Sequence, residues 1–244
     1  MSNEPIVRFS NVSFSYGDEL VLQDLSFTLA EGERIALVGA SGTGKSTILH
    51  LLAGSRKPTA GRVYVDPVVM RSRVLMVQTD GLLPWYSVEQ NFTVAFKIHG
   101  VAKDDFSHRT QLWLEEFGIG HLGSRFPSEL SGGQRQRAAL ARTLALGANL
   151  LLLDEPLTAI DELQRERLQV HLNKVFIATT MTSVIVTHSI EEAALLADKV
   201  FIIKDSAPIR EITVLNNPLP ALERDRASRM FLEFTTDIRG QLAS

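Results

Sequence analysis

Residues 6–29 alternate apolar and polar side chains: Ile6, Phe9, Val12, Phe14 and Tyr16, then Leu25, Phe27 and Leu29. Period-two spacing predicts strands, and Gly17-Asp18 predicts a turn between them. The apolar run Ile35–Val38 reads as a short buried strand, emptying into the glycine-rich stretch Gly39–Gly44. From Lys45 to Ala53 the spacing becomes helical, and Gly54 supplies the stop. Strand signals return at Arg62–Val65 and Val74–Val77.

From Gly81 to Gly147 helical spacing dominates, around 88–99, 104–117 and 132–146, with glycine and proline between. Beyond it the pattern predicts strands at Leu150–Leu153, Ser183–Thr187 and Val200–Lys204, separated by helices near 161–178 and 190–198. Strands alternating with helices imply a mostly parallel sheet covered on both faces. The expected organisation is one α/β domain. Residues 1–80 and 148–216 form its core, with an N-terminal antiparallel β part. Residues 81–147 form an inserted helical subdomain, and 217–244 a C-terminal tail with one helix-like segment.

At 244 residues, with 45% apolar and 22% charged side chains, the chain is large enough for a substantial core. A net charge of −3 gives no field for non-specific nucleic-acid binding, so no nucleic-acid partner is expected. The absence of cysteine removes disulfides, thiol catalysis and cysteine-ligated metals. No apolar run approaches the roughly 20 residues of a membrane-crossing helix. The segment MSNEPIVRFS reads as no secretory leader.

Gly39-Ala40-Ser41-Gly42-Thr43-Gly44-Lys45-Ser46-Thr47 fits the phosphate-binding P-loop, with a strand before it and a helix after it. Successive N–H groups can curl around phosphate oxygens, and the helix start adds a favourable dipole. In this pattern Lys45 reaches the β- and γ-phosphates of ATP and the Ser46 hydroxyl binds Mg²⁺. A second chemical signal is Leu150-Leu151-Leu152-Leu153-Asp154-Glu155-Pro156. Four leucines bury the strand and leave two acids at its carboxyl end, where open α/β sheets bind ligands. Asp154 suits Mg²⁺, and Glu155 suits orienting and deprotonating water. Alone, the pair also reads as an ordinary strand end and turn.

Leu130-Ser131-Gly132-Gly133-Gln134 precedes Arg135-Gln136-Arg137-Ala138-Ala139-Leu140-Ala141-Arg142. Ser131 reads as an N-cap, and two glycines leave bare N–H groups at a helix mouth. With these residues in place the sequence resembles the ABC-transporter ATPase family, in order: P-loop, Gln78, signature, paired acids and His188. The resemblance implies a P-loop NTPase fold and head-to-tail pairing of two subunits. Each ATP would lie between one P-loop and the partner's signature, so Ser131, Gly133 and Gln134 would act in trans. It also implies that Tyr16 stacks on adenine and that Gln78 touches Mg²⁺ and water. Asp161 would cross the dimer interface, its other reading being a helix N-cap, and His188 would contact the γ-phosphate. Ile160 and Thr158 depart from the family's usual residues, as does Ser189 where aspartate commonly follows the histidine. The region 61–74 is shorter than usual, which predicts a trimmed antiparallel part.

Gln78-Thr79-Asp80-Gly81-Leu82-Leu83-Pro84-Trp85 and Val88-Glu89-Gln90-Asn91 resemble the matching segment of nitrate, sulfonate and taurine importer ATPases. Trp85 is either an exposed anchor for a permease or a core residue. The implied partners are a second subunit, an integral-membrane permease and a periplasmic or extracellular solute-binding protein. The implied location is peripheral, on the cytoplasmic face of the inner membrane. Two other readings share the motifs. One is a soluble ABC ATPase of repair, translation or iron–sulfur assembly, set against by the single cassette and the lack of a long coiled coil. The other is an ATP-binding scaffold without turnover, set against by Glu155 and His188.

Overall fold

The computed structural model describes residues 4–179, 181–204 and 208–243. In chain order the elements are β1 (Val7–Tyr16), β2 (Glu19–Leu29), β3 (Arg34–Val38), α1 (Lys45–Leu52), β4 (Ala60–Val65), α2 (Pro67–Arg71) and β5 (Arg73–Met76). Then come α3 (Val88–Ile98), α4 (Phe106–Glu116), α5 (Gly132–Ala145), β6 (Leu150–Asp154), α6 (Glu162–Thr179) and β7 (Thr182–Thr187). The chain closes with α7 (Ile190–Leu196), β8 (Lys199–Ile202), β9 (Thr213–Asn216) and α8 (Arg229–Ala243).

Two sheets organise these elements. The larger has the order β5-β6-β7-β3-β8-β9, parallel throughout except for β9, which runs antiparallel at one edge. Its central strands are buried on both faces. Ala36, Val38, Leu151, Leu153 and Ile185 face one apolar cluster, while Ile35, Leu37, Leu150, Leu152 and Val184 face another. Two-sided burial is why these strands read as unbroken apolar runs. The smaller sheet is antiparallel, β2-β1-β4, and closes the second cluster through Val7, Phe9 and Leu25. It has three strands despite the short 61–74 segment.

The first cluster runs without a break from Phe92 and Phe96 on α3, through Ala138–Ala141 on α5, to Leu151 and Leu153. Helix α5 is therefore shared between the helical segment and the sheet. Two elements escape the sequence pattern. Helix α2 is a five-residue turn opened by Pro67 and capped by Asp66, whose Oδ1 accepts from Val68 N at 2.8 Å. Strand β9 is a four-residue edge with only half-buried inner side chains. The helix expected to reach residue 198 ends at Leu196. Asp198 instead joins Arg34 (2.6 Å) and Arg224 (2.6 Å), both buried, and so fixes the start of the tail to the sheet.

Candidate functional site

The glycine-rich loop leaves β3 after Val38 and re-enters helix at Lys45. A Cβ on Gly39 would lie 2.3 Å from the carbonyl oxygen of Ile203, so the loop can pass β8 only as glycine. Gly44, at φ 99°, caps α1 in the left-handed region, and a Cβ there would meet Val21 Cγ1 at 2.6 Å. The ammonium of Lys45 is buried. It donates to the carbonyls of Gly39 (2.9 Å) and Ala40, and to Thr43 Oγ1 (3.3 Å). A buried cation needs such acceptors. The sequence pattern has Lys45 reaching outward to phosphate, whereas here its reach is folded back across its own loop.

A cleft of about 300 Å³ opens over this loop. Its walls include Tyr16, Ser41, Gly42, Gly44, Lys45, Ser46, Thr47, Gln78 and Glu155. Tyr16 stands at the end of β1, half-exposed, edge-on to Phe14 with centroids 4.8 Å apart. Its hydroxyl lies 3.5 Å from Thr47 Oγ1, which ties the aromatic to the loop helix.

The acids end β6. Asp154 is 6% exposed, and burial pushes its pKa above the ordinary carboxylate value; a hydrogen bond with Ser46 opposes that shift. Glu155 has a φ of 48°, rare for a non-glycine residue. Its Oε2 accepts from Gln78 Nε2 at 3.1 Å and from Thr158 Oγ1 at 3.1 Å, and lies 3.7 Å from His188 Nδ1. Gln78, Glu155 and His188, far apart in sequence, therefore converge on one carboxylate oxygen.

Ser131, Gly133, Gln134 and Asp161 do not line this cleft; nor do Asp154 and His188, but these two are joined to it through Ser46 and Glu155. Ser131 caps α5: its Oγ accepts from Gln134 N at 3.2 Å, and Gln134 Oε1 accepts from Ser131 N at 2.9 Å. Asp161 accepts from Gln164 N at 3.0 Å, the geometry of an N-cap on α6. The motif residues thus form two separate groups on one chain: a loop-and-acid group, and a helix-mouth group.

Sequence reasoning passed over several supporting side chains. Gln136 bonds to the Glu155 carbonyl and the Ala159 N–H. Its signal was available: Gln136, Ala139, Leu140, Thr143 and Leu144 occupy one helical stripe, and all are buried. Arg165 donates to the carbonyls of Leu157 (3.3 Å) and Ile160 (2.7 Å), holding the same turn from α6. Glu192 is 4% exposed beneath His188; its Oε2 accepts from Thr187 Oγ1 at 2.7 Å, and burial pushes its pKa up to about 7. Asn91 fastens the loop before α3. It accepts from Leu83 N and donates to the carbonyls of Leu83, Tyr86 and Ser87. Trp85 on that loop is 67% exposed, which settles its sequence ambiguity in favour of the surface.

A glycine loop between a buried parallel strand and a helix, facing two acids at the next strand but one, defines a P-loop nucleoside triphosphatase. The comparisons narrow this class. The ABC transporter family model matches residues 22–158. An aliphatic sulfonates import ATP-binding protein of Shouchella clausii is 39% identical over 98% of this chain and 92% of its own. A taurine import ATP-binding protein of Pseudomonas aeruginosa is 40% identical over 78% of this chain and 73% of its own. A dimeric ATP-binding cassette solved in a post-hydrolysis state with ADP and Pi superposes with a TM-score of 0.74. It shares 27% identity, covering 85% of this chain and 97% of that one. The chain belongs to the ABC transporter family, as an ATP-binding and ATP-hydrolysing subunit.

Proposed function

We propose that two copies of this chain, or this chain and a paired subunit, sandwich two molecules of Mg-ATP and power a membrane importer. The observation that carries the pairing is the separation of the motif residues. Tyr16, the 39–47 loop, Gln78 and Glu155 share one cleft, from which Ser131, Gly133, Gln134 and Asp161 are absent. A signature set outside the cleft of its own phosphate loop is placed to serve a partner's ATP.

In this reading the 39–47 N–H groups and Lys45 hold the phosphates, with Lys45 exchanging its Gly39 and Ala40 carbonyls for phosphate oxygens. Tyr16 stacks on the base. Glu155 takes a proton from the attacking water, while Gln78 and His188 keep the water and the γ-phosphate in line. The donor set suits Mg²⁺. Ser46 and Asp154 are hydrogen-bonded to one another, Gln78 faces the same cleft, and no group of three or more His, Cys, Asp or Glu side chains among the described residues could hold a metal alone. Few protein oxygens, completed by water and phosphate, is the pattern Mg²⁺ accepts. The ion would neutralise charge on the β- and γ-phosphates.

No described helix is long and apolar enough to cross a membrane, and the proposed permease is a separate chain. The exposed Trp85 and Tyr86, held up by Asn91, are suited to meet a permease at the cytoplasmic face of the inner membrane. The relatives are named for import of aliphatic sulfonates, taurine and nitrate, and a small solute of this kind, delivered by a solute-binding protein, is the proposed cargo. Nothing in these relatives favours a soluble repair or translation role. Glu155→Gln tests the core of the reading. It should cut kcat roughly 10²–10⁴-fold and leave an ATP-dependent dimer on sizing columns. A variant that stays a single copy at saturating Mg-ATP would remove the trans site.

A further inference from the structure

The left-handed backbone of Glu155 is strained for a residue with a side chain, and such strain persists only where the surroundings over-determine it. Two long-range hydrogen bonds do so. Glu155 N donates to the Val186 carbonyl at 2.9 Å, and the Glu155 carbonyl accepts from Gln136 Nε2 at 2.9 Å. The other end of the same amide, Gln136 Oε1, accepts from Ala159 N at 2.6 Å. One side chain therefore spans the turn from 155 to 159. Gln136 is 4% exposed, so water cannot readily replace either bond. It also sits on α5, the helix whose first turn is capped by Ser131 and Gln134. A Cβ on Gly133 would lie 3.3 Å from the Ala159 carbonyl oxygen, so the helix mouth passes close to the same turn.

We infer that Gln136 is a positioning residue for hydrolysis: it aims the Glu155 carboxylate and locks that aim to the signature helix, so that displacing the helix mouth displaces the base. The inference rests on Glu155 acting as the base. Gln136 touches no reacting atom. Its effect passes through two backbone groups, and it belongs to neither the loop nor the acid pair.

The test is steady-state Mg-ATPase of the full chain carrying Gln136→Met, which keeps volume but neither donates nor accepts usefully. Measurements are made well below its melting temperature. The expected result is a fall in kcat of about 10–100-fold, the scale of a misplaced catalytic group, with KM for ATP within about twofold. In the Glu155→Gln background the ATP-dependent dimer should persist, because binding and closure do not use Gln136. Gln136→Leu, which offers neither donor nor acceptor in a similar volume, should also lose kcat. A Gln136→Met variant that melts earlier yet turns over at the wild-type rate would overturn the inference, as would a rise in KM at constant kcat. Should Gln136→Met not fold, Gln136→Asn retains the amide one methylene short, and its kcat must fall likewise or the inference fails. Turnover that survives Glu155→Gln in a chain keeping Gln136 would instead sink the reading of Glu155 itself.

Discussion

Gln78 and Glu155 meet across the ends of two adjacent parallel strands, β5 and β6, with Gln78 Nε2 3.1 Å from Glu155 Oε2. A neutral amide thus joins the exit of one strand to the carboxylate of the next. The segment 77–87 that follows β5 carries both Gln78 and the exposed Trp85, so the acid and the exposed tryptophan share one connection. A hydrogen bond to an ionised group contributes about 1.5–3 kcal/mol. Gln78→Ala should therefore lower kcat by about tenfold or more, read by phosphate release at saturating Mg-ATP. An unchanged rate would mean that Thr158 and His188 suffice.

Lys45→Ala removes the only ammonium within the phosphate loop, 39–47. Nucleotide affinity should drop by at least about 100-fold, since one cation faces the most charged part of the ligand. Equilibrium binding of a fluorescent ATP analogue measures it; equal affinity in the two proteins would contradict the proposed cradle.

Glu192 gives a pH dependence of definite sign. Its folded pKa, pushed by burial to about 7, lies above the unfolded value near 4.5, so the native state binds the extra proton between those values. The stability it contributes is full below about 4.5 and is lost as pH rises through about 7. The groups facing it are Thr187, whose hydroxyl it accepts from, with Arg165 and Arg226 favouring its charge and Glu155 opposing it. Glu192→Gln keeps a neutral side chain at every pH. Across pH 5–8 the Tm of the wild type should fall relative to that variant, and parallel curves would show that Glu192 titrates normally.

Asn91 is 1% exposed and satisfies four backbone groups of the 83–87 loop. Asn91→Ala leaves buried donors and acceptors unpaired, at about 1–3 kcal/mol. Chemical denaturation should show that loss. Basal ATPase of the isolated chain should stay near wild type, while stimulation by a co-purified permease weakens because Trp85 is no longer held.

Much of this architecture could be read from the chain. Strands β3, β6 and β7 announce themselves because burial on both faces leaves an unbroken apolar run in each: Ile35–Val38, Leu150–Leu153 and Val184–Val186. The P-loop and the capped α5 were legible because glycine and serine there meet backbone requirements that few residues can. Helix α2 and strand β9 were hidden by length: one turn and four edge residues carry no periodicity. The helix end at Leu196 was misjudged because Asp198 answers to Arg34 and Arg224, partners 164 and 26 residues away. Gln136 was passed over for a similar reason. Its two bonds go to main chain, and nothing in a local sequence marks which carbonyl a buried amide will find.

The box formed by Ser131 and Gln134 at the head of α5 bears on how such subunits part company. Each of these residues already satisfies the other's N–H, so the first-turn donors that the box does not use are those of Gly132 and Gly133. In the proposed dimer the Ser131 hydroxyl would trade its bond to Gln134 N–H for one to a partner's phosphate, so docking there would be an exchange of bonds.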